Sequence, residues 1–278
     1  MSYQGSKPAI AKLTNTLLLA TALGTFFLLV LWPMLFLSRY AVVDGAAVFW
    51  DRLSQPNARA ALSLSVQVAL ATTAVNLVVG TLLAFVLVRG KLPGKNIVDA
   101  LVDIPLALPT VVIGFSLLLL YGPEAPMGFL GRVGFRIMFA FPGIVLAHVF
   151  VTFPFMVRAV GAVLEGMDTR CEDAARTLGA KPWQIFFMVT LPSLREGLVA
   201  GAVLTFAKSL GEFGATIMVS GNRPGRTQTA PLYIFSRFNT GDIAGAAALA
   251  LALAALSFII LFIFKVLQSR RRGGVTFE

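Results

Sequence analysis

Nothing constrains this chain more than six long, nearly charge-free apolar windows, near 13–37, 61–88, 104–121, 138–157, 197–219 and 243–264. A helix needs roughly 20 such residues to cross a hydrocarbon core. The fold expected is therefore all-α: a polytopic integral membrane helix bundle with about six transmembrane helices. With 57% of residues hydrophobic and 13% charged, the composition lies outside ordinary soluble usage. The second window, charge-free from Ala60 to Val88, is longer than a crossing requires, so tilt or an extra turn is expected. The first is longer than the apolar region of a signal peptide, about 7 to 15 residues, and should remain as a span.

Cations are retained on the cytoplasmic side of spans. If the N-terminus is inside, the inner segments include Lys7, Lys12, "RGKLPGKN" (89–96), Arg158, Arg170, Arg176, Lys181, Arg195 and the run from Lys265 to Arg272. The outer loops then hold Arg39, Arg52, Arg59, Arg132, Arg136, Arg223, Arg226 and Arg237. This modest asymmetry places both termini in the cytoplasm. It divides the chain into an N-terminal tail (1–12), a transmembrane domain (13–268) with one sizeable cytoplasmic loop (about 158–196), and a basic tail (269–278). A net charge of +10 could mean nucleic acid in a soluble protein. Here the cations flank spans, where membrane lipid attracts them, so no nucleic-acid partner is expected. The single cysteine, Cys171, excludes an intrachain disulfide and a cysteine metal cluster.

The loop contains "EDAARTLGAKPWQIFFMVTLP" (172–192). Thr169 stands three residues before Glu172, the spacing of a capping box, and Asp173 adds negative charge near the same helix start. Cys171, Ala174, Ala175 and Leu178 follow at helical spacing as one small apolar stripe. Gly179 is a natural C-terminal cap, and Ala180 leads to Pro182 in the first turn of a second helix. That second helix, largely apolar from Trp183 to Leu191, should stop at Pro192. On these residues alone, an interfacial structural hairpin and a docking surface are equally open.

"EDAARTLGA" with the later "LP" resembles the EAA loop of bacterial ABC-importer permeases, with Glu172, Ala174, Ala175, Gly179, Leu191 and Pro192 matching its elements. Asp173 departs from the strict triplet. "DIPLALPTVVIG" (103–114) and "SLGEFGATIMVSGNRPG" (209–225) resemble the sulfate/thiosulfate and molybdate/tungstate permeases of that superfamily, and the similarity runs from about Ala60 to Gln268. The resemblance implies a type I importer permease fold in a bacterial or archaeal inner membrane. It also implies a second permease subunit, the same chain or a different one, an extracytoplasmic oxyanion-binding protein, and a cytoplasmic ABC ATPase dimer that carries ATP and Mg. No cofactor and no metal is expected in this chain, and the sequence has no Gly-x-x-x-x-Gly-Lys-Ser/Thr phosphate loop. In such permeases the short loop helix, here Glu172 to Gly179, couples the ATPase to the spans.

Within the fifth window, Lys208 and Glu212 are four residues apart and can neutralise each other. Charges at membrane depth usually face a cavity or a partner, so the pair either lines a gate for an anion or serves structure. Gly211 and Gly214 beside it permit bending or close packing. His148, the only histidine, is expected to be a packing residue with its ring nitrogens satisfied. An intramembrane hydrolase would lack the parts for a nucleophile and base, whereas an ATP-independent secondary transporter, or an ABC permease for an amino acid or sugar, is compatible with hydropathy alone.

Overall fold

The computed structural model describes residues 7–90, 93–134 and 136–272. The outermost parts of both tails, and Lys91 of the turn at 89–96, lie outside the described residues. The helices run α1 (Lys7–Phe26), α2 (Trp32–Ala41), α3 (Ala46–Ser54), α4 (Pro56–Arg89), α5 (Lys95–Ala107), α6 (Thr110–Tyr121), α7 (Phe129–Arg132) and α8 (Phe141–Gly166). They continue through α9 (Arg170–Thr177), α10 (Pro182–Ile185), α11 (Leu191–Ser193), α12 (Arg195–Leu210), α13 (Gly214–Ser220), α14 (Ala230–Asn239) and α15 (Ile243–Arg272). Four helical stretches, Asn15–Ala41, Pro56–Arg89, Phe141–Gly166 and Ile243–Val266, are long and apolar enough to cross a membrane, and two bent helix pairs raise the total to as many as six.

The core is the packing of α4, α8 and α12, whose close approach rests on glycines. A Cβ at Gly80 of α4 would lie 2.7 Å from Met156 Cγ, and one at Gly201 would lie 2.6 Å from Met156 Sδ. At Gly197 it would meet the Ala159 carbonyl oxygen at 2.9 Å. The Gly197-x-x-x-Gly201 face therefore packs within the chain, against α8, as small residues do where helix backbones touch. One apolar cluster gathers Val68, Ile144, Ala147 and Val151 with Ile113 of α6 and Val219 of α13, and another gathers Ala84, Leu87, Met156, Val160 and Leu164 with Leu194. The helix Asn15–Ala41 has none of its apolar window buried; its α2 part rests against α15, and the remainder is left for lipid or another chain.

The third window is not a straight span. α5 and α6 meet at 108° across Leu108 and Pro109. A residue before proline is pushed out of the helical region, and Leu108 is extended, with φ −87° and ψ 140°. The fifth window likewise breaks after Leu210. Pro192, expected to end a helix, lies one residue before the end of α11 at Ser193, where the chain turns by 68° into α12. The residues before it widen into a π-turn (Phe186–Thr190), in which the Leu191 N–H bonds to the Phe186 carbonyl. That wider turn accommodates a proline that would clash in a regular helix. Phe27–Leu31 forms the same kind of turn just before Pro33.

Candidate functional site

The loop between α8 and α12 folds as a short knuckle. α9 ends in a Schellman arrangement: the Gly179 N–H bonds to the Arg176 carbonyl at 3.0 Å, and the Ala180 N–H bonds to the Ala175 carbonyl at 3.0 Å. Gly179 has φ +82°, a conformation glycine adopts without strain. The next helix starts at Pro182, and the Lys181 N–H donates to Gln184 Oε1 at 2.7 Å.

The capping box expected from Thr169 and Glu172 is absent. Thr169 is itself helical and its hydroxyl caps nothing, while the Arg170 N–H donates to Asp168 Oδ1 at 3.0 Å. Glu172 is instead buried, at 4% exposure, and its Oε1 accepts from the Thr190 hydroxyl at 2.9 Å. Its Oε2 stands 3.6 Å from Arg89 Nε, beyond hydrogen-bond range but within reach of an ion pair. Arg89, the last residue of α4, also donates from a terminal guanidinium nitrogen to the Met167 carbonyl at 3.3 Å. One turn earlier on α4, the Phe85 ring meets Phe186 edge to face at 5.0 Å. A carboxylate withdrawn from water needs such partners; Arg89 ends α4, and Thr190 ends the π-turn of the same loop. Displacing α9 would load α4 through Arg89, while α10, the π-turn that sets Phe186 against Phe85, and α11 lead to a 68° turn into α12.

The opposite face of α9 is bare. Cys171, Asp173 and Ala174 are exposed, Ala175 is half-buried, and Leu178 is 88% exposed. Asp173 pairs with Arg176 at 2.7 Å along the helix surface. Beyond the turn, Trp183, Phe187 and Met188 are also exposed. The small apolar stripe expected from the spacing is thus presented outward, and the acidic residue beside it is turned inward.

The second cluster lies where α12 gives way to α13. Gly211 ends α12 with φ −95° and ψ 5°, and a Cβ there would meet nothing within 4 Å, so the break does not depend on its being glycine. Gly214 makes a packing contact, because a Cβ there would collide with the Thr110 hydroxyl and approach Val111 N at 3.1 Å. Lys208 Nζ lies 3.5 Å from Glu212 Oε2, with the Glu212 side chain buried and the Lys208 side chain 43% exposed. Glu212 Oε1 also accepts the Ala215 N–H at 3.1 Å, so this carboxylate satisfies the start of α13. His148 bridges the break: Nδ1 is 2.7 Å from Ser209 Oγ on α12 and Nε2 is 2.7 Å from Thr216 Oγ1 on α13. Its ring nitrogens are both used, as expected of a packing histidine.

Sequence reasoning missed two parts of these clusters. One is the Arg89–Glu172–Thr190 clamp, whose only trace is a cation directly ending a long charge-free window. The other is Asn76, wholly buried, which donates to Thr152 Oγ1 at 2.8 Å while that hydroxyl donates to the His148 carbonyl at 2.7 Å. An amide in the middle of an apolar window was its signal.

Residues 76–273 match the family described as the binding-protein-dependent transport system inner membrane component. The chain is 38% identical over 256 residues to the sulfate transport system permease protein CysT of Escherichia coli K12, covering 92% of each. It is 42% identical over 230 residues to the molybdenum transport system permease protein ModB of that organism, covering 80% of this chain and 99% of the relative. Identity to the chloroplastic sulfate permease 2 of Chlamydomonas reinhardtii is 41% over 248 residues, 89% of this chain and 67% of the relative. In fold it resembles a chain of the bacterial ABC transporter that imports the acidic polysaccharide alginate, with a TM-score of 0.77 at 16% identity over 95% of this chain and 98% of that one. A long match to the family, near-complete alignment with its permeases and an importer-permease fold together place this chain in the family of binding-protein-dependent transport system inner membrane components, the membrane-spanning permeases of ABC importers.

Proposed function

We propose that this chain is the permease subunit that carries a tetrahedral inorganic oxyanion, of the sulfate/thiosulfate or molybdate/tungstate class, inward across a bacterial or archaeal inner membrane. The observation that carries this reading is alignment over most of the chain with permeases named for sulfate and for molybdenum. Both termini and the α9 knuckle face the cytoplasm. Two copies of the chain form the pore, an extracytoplasmic binding protein delivers the anion, and ATP and Mg reside on a separate cytoplasmic ATPase dimer. The bare stripe of Cys171, Ala174, Ala175 and Leu178 is the surface that the ATPase grips. Its small side chains allow close approach, and Glu172 ties the gripped helix to α4 through Arg89.

Closure of the ATPase pair on ATP moves α9, and the clamp passes the movement to α4 while α10 and α11 pass it to α12. Lys208 and Glu212 stand at the break in the fifth window, on which the gate turns. The test is reconstitution of this chain in liposomes with its ATPase and a loaded binding protein. Sulfate, thiosulfate, molybdate and tungstate are each supplied with their binding protein, and ATP turnover is measured. Stimulation by at least one of them supports the reading, and uptake that continues without ATP contradicts it.

A further inference from the structure

We propose a receiving site for the oxyanion in a cavity at the end of α8 opposite the knuckle, where Arg136, Arg223 and Arg226 converge with Thr227. This rests on the substrate class and orientation given above, which put the cavity on the outer face. The cavity holds about 540 Å³ and is lined also by Tyr121 and Phe139. That is the size of ordinary small-ligand sites, roughly 300–1,000 Å³.

No carboxylate lines it, and none of the ion pairs among the described residues uses Arg136, Arg223 or Arg226. Thr227, 6% exposed, accepts the Arg223 N–H at 3.1 Å through its hydroxyl oxygen, which leaves its proton for another acceptor. A planar guanidinium fork matches the spacing of two oxygens on one tetrahedral anion.

The frame that holds these groups is set before any anion arrives. Among the described residues, Phe139 and Asn222 are the non-glycine residues with positive φ, 58° and 47°, and such backbone persists only where its surroundings hold it. The Phe139 N–H donates to the Val219 carbonyl at 2.8 Å. The Asn222 side chain donates to Ser236 Oγ at 3.2 Å and accepts from Gln228 Nε2 at 2.9 Å. The N–H groups of Thr227 and Gln228 both reach the Arg223 carbonyl at 3.0 Å. Cations on a fixed, concave wall suit capture of a small anion better than an acidic surface of the delivery protein, which would meet a convex one more easily.

The test uses the reconstituted complex with sulfate and molybdate, each on its binding protein, and the paired variant R223Q/R226Q. Anion uptake at saturating binding protein is expected to fall at least about tenfold, from loss of charge-assisted hydrogen bonds. The Kd of the loaded binding protein for the complex should stay as in the wild type. R226Q alone, which leaves Arg136 and Arg223 in place, should show a smaller fall in the same direction. Uptake at saturation that is unchanged, or a defect carried wholly by weaker binding-protein affinity, overturns the site while leaving the oxyanion reading in place. A wild-type complex that takes up none of sulfate, thiosulfate, molybdate and tungstate overturns both.

Discussion

Replacing Glu172 by Gln is expected to free α9 from α4 without altering the exposed stripe. Glu172 Oε1 accepts from Thr190 at 2.9 Å, and Gln can keep that bond, but the charge opposite Arg89 at 3.6 Å is lost. Removing one partner of a buried ion pair costs about 3–5 kcal/mol, and an exposed pair contributes about 0.2–1 kcal/mol. The Arg89 side chain keeps 20% of its surface exposed and the charges stand 3.6 Å apart, so the expectation lies between the two, about 1.5 kcal/mol. That is roughly a tenfold change in the equilibrium for local opening. Amide hydrogen exchange reads such opening directly. In the chain reconstituted in lipid, without ATPase, exchange across 169–180 should accelerate about tenfold in E172Q. R89M should do the same, and the double variant should be no faster than the faster single, because one interaction cannot be lost twice. Unchanged exchange in both single variants, or strictly additive effects in the double, would refute the clamp.

Gly179→Leu places a side chain at φ +82° with nothing within 4 Å, so its cost is backbone strain alone, roughly 1–2 kcal/mol; ATPase stimulation should weaken while the thermal unfolding of the bundle in detergent stays put. Gly197→Ala puts a carbon 2.9 Å from the Ala159 carbonyl, and overpacking of about 1–3 kcal/mol should lower the melting temperature. A melting temperature equal to wild type would mean that α8 and α12 are less tightly apposed. Leu178→Asp, at a side chain 88% exposed, should change stability by no more than about 0.5 kcal/mol yet abolish co-purification with the ATPase. Normal co-purification would remove Leu178 from the docking face.

Hydropathy made the long spans legible because α4, α8 and α15 are continuous helices whose apolar length is itself the signal. It could not show that the third window bends and the fifth is interrupted. Such a break is decided by a few backbone groups, at Leu108–Pro109 and at 211–213, and apolar content gives no sign of either. The knuckle was readable to its turn, since Gly179 and Pro182 act locally on the chain. The fate of Glu172 was not. Spacing offered a local partner in Thr169, and burial against Arg89 and Thr190 replaced it. The choice between a local cap and a long-range clamp depends on which groups the fold brings within a few ångströms, and one sequence does not contain that. For Lys208 and Glu212 the four-residue spacing predicted their pairing, while the second use of Glu212, at the start of α13, arises only because the helix breaks.

Cys171 makes the most direct test possible with the native chain, because it is the only cysteine and lies exposed on α9 within the stripe. A membrane-impermeant maleimide should label it in inside-out vesicles, leave it untouched in right-side-out vesicles, and label it poorly once the ATPase is bound. Labelling from the outer side, or labelling that the ATPase does not hinder, would contradict an ATPase-gripped cytoplasmic knuckle.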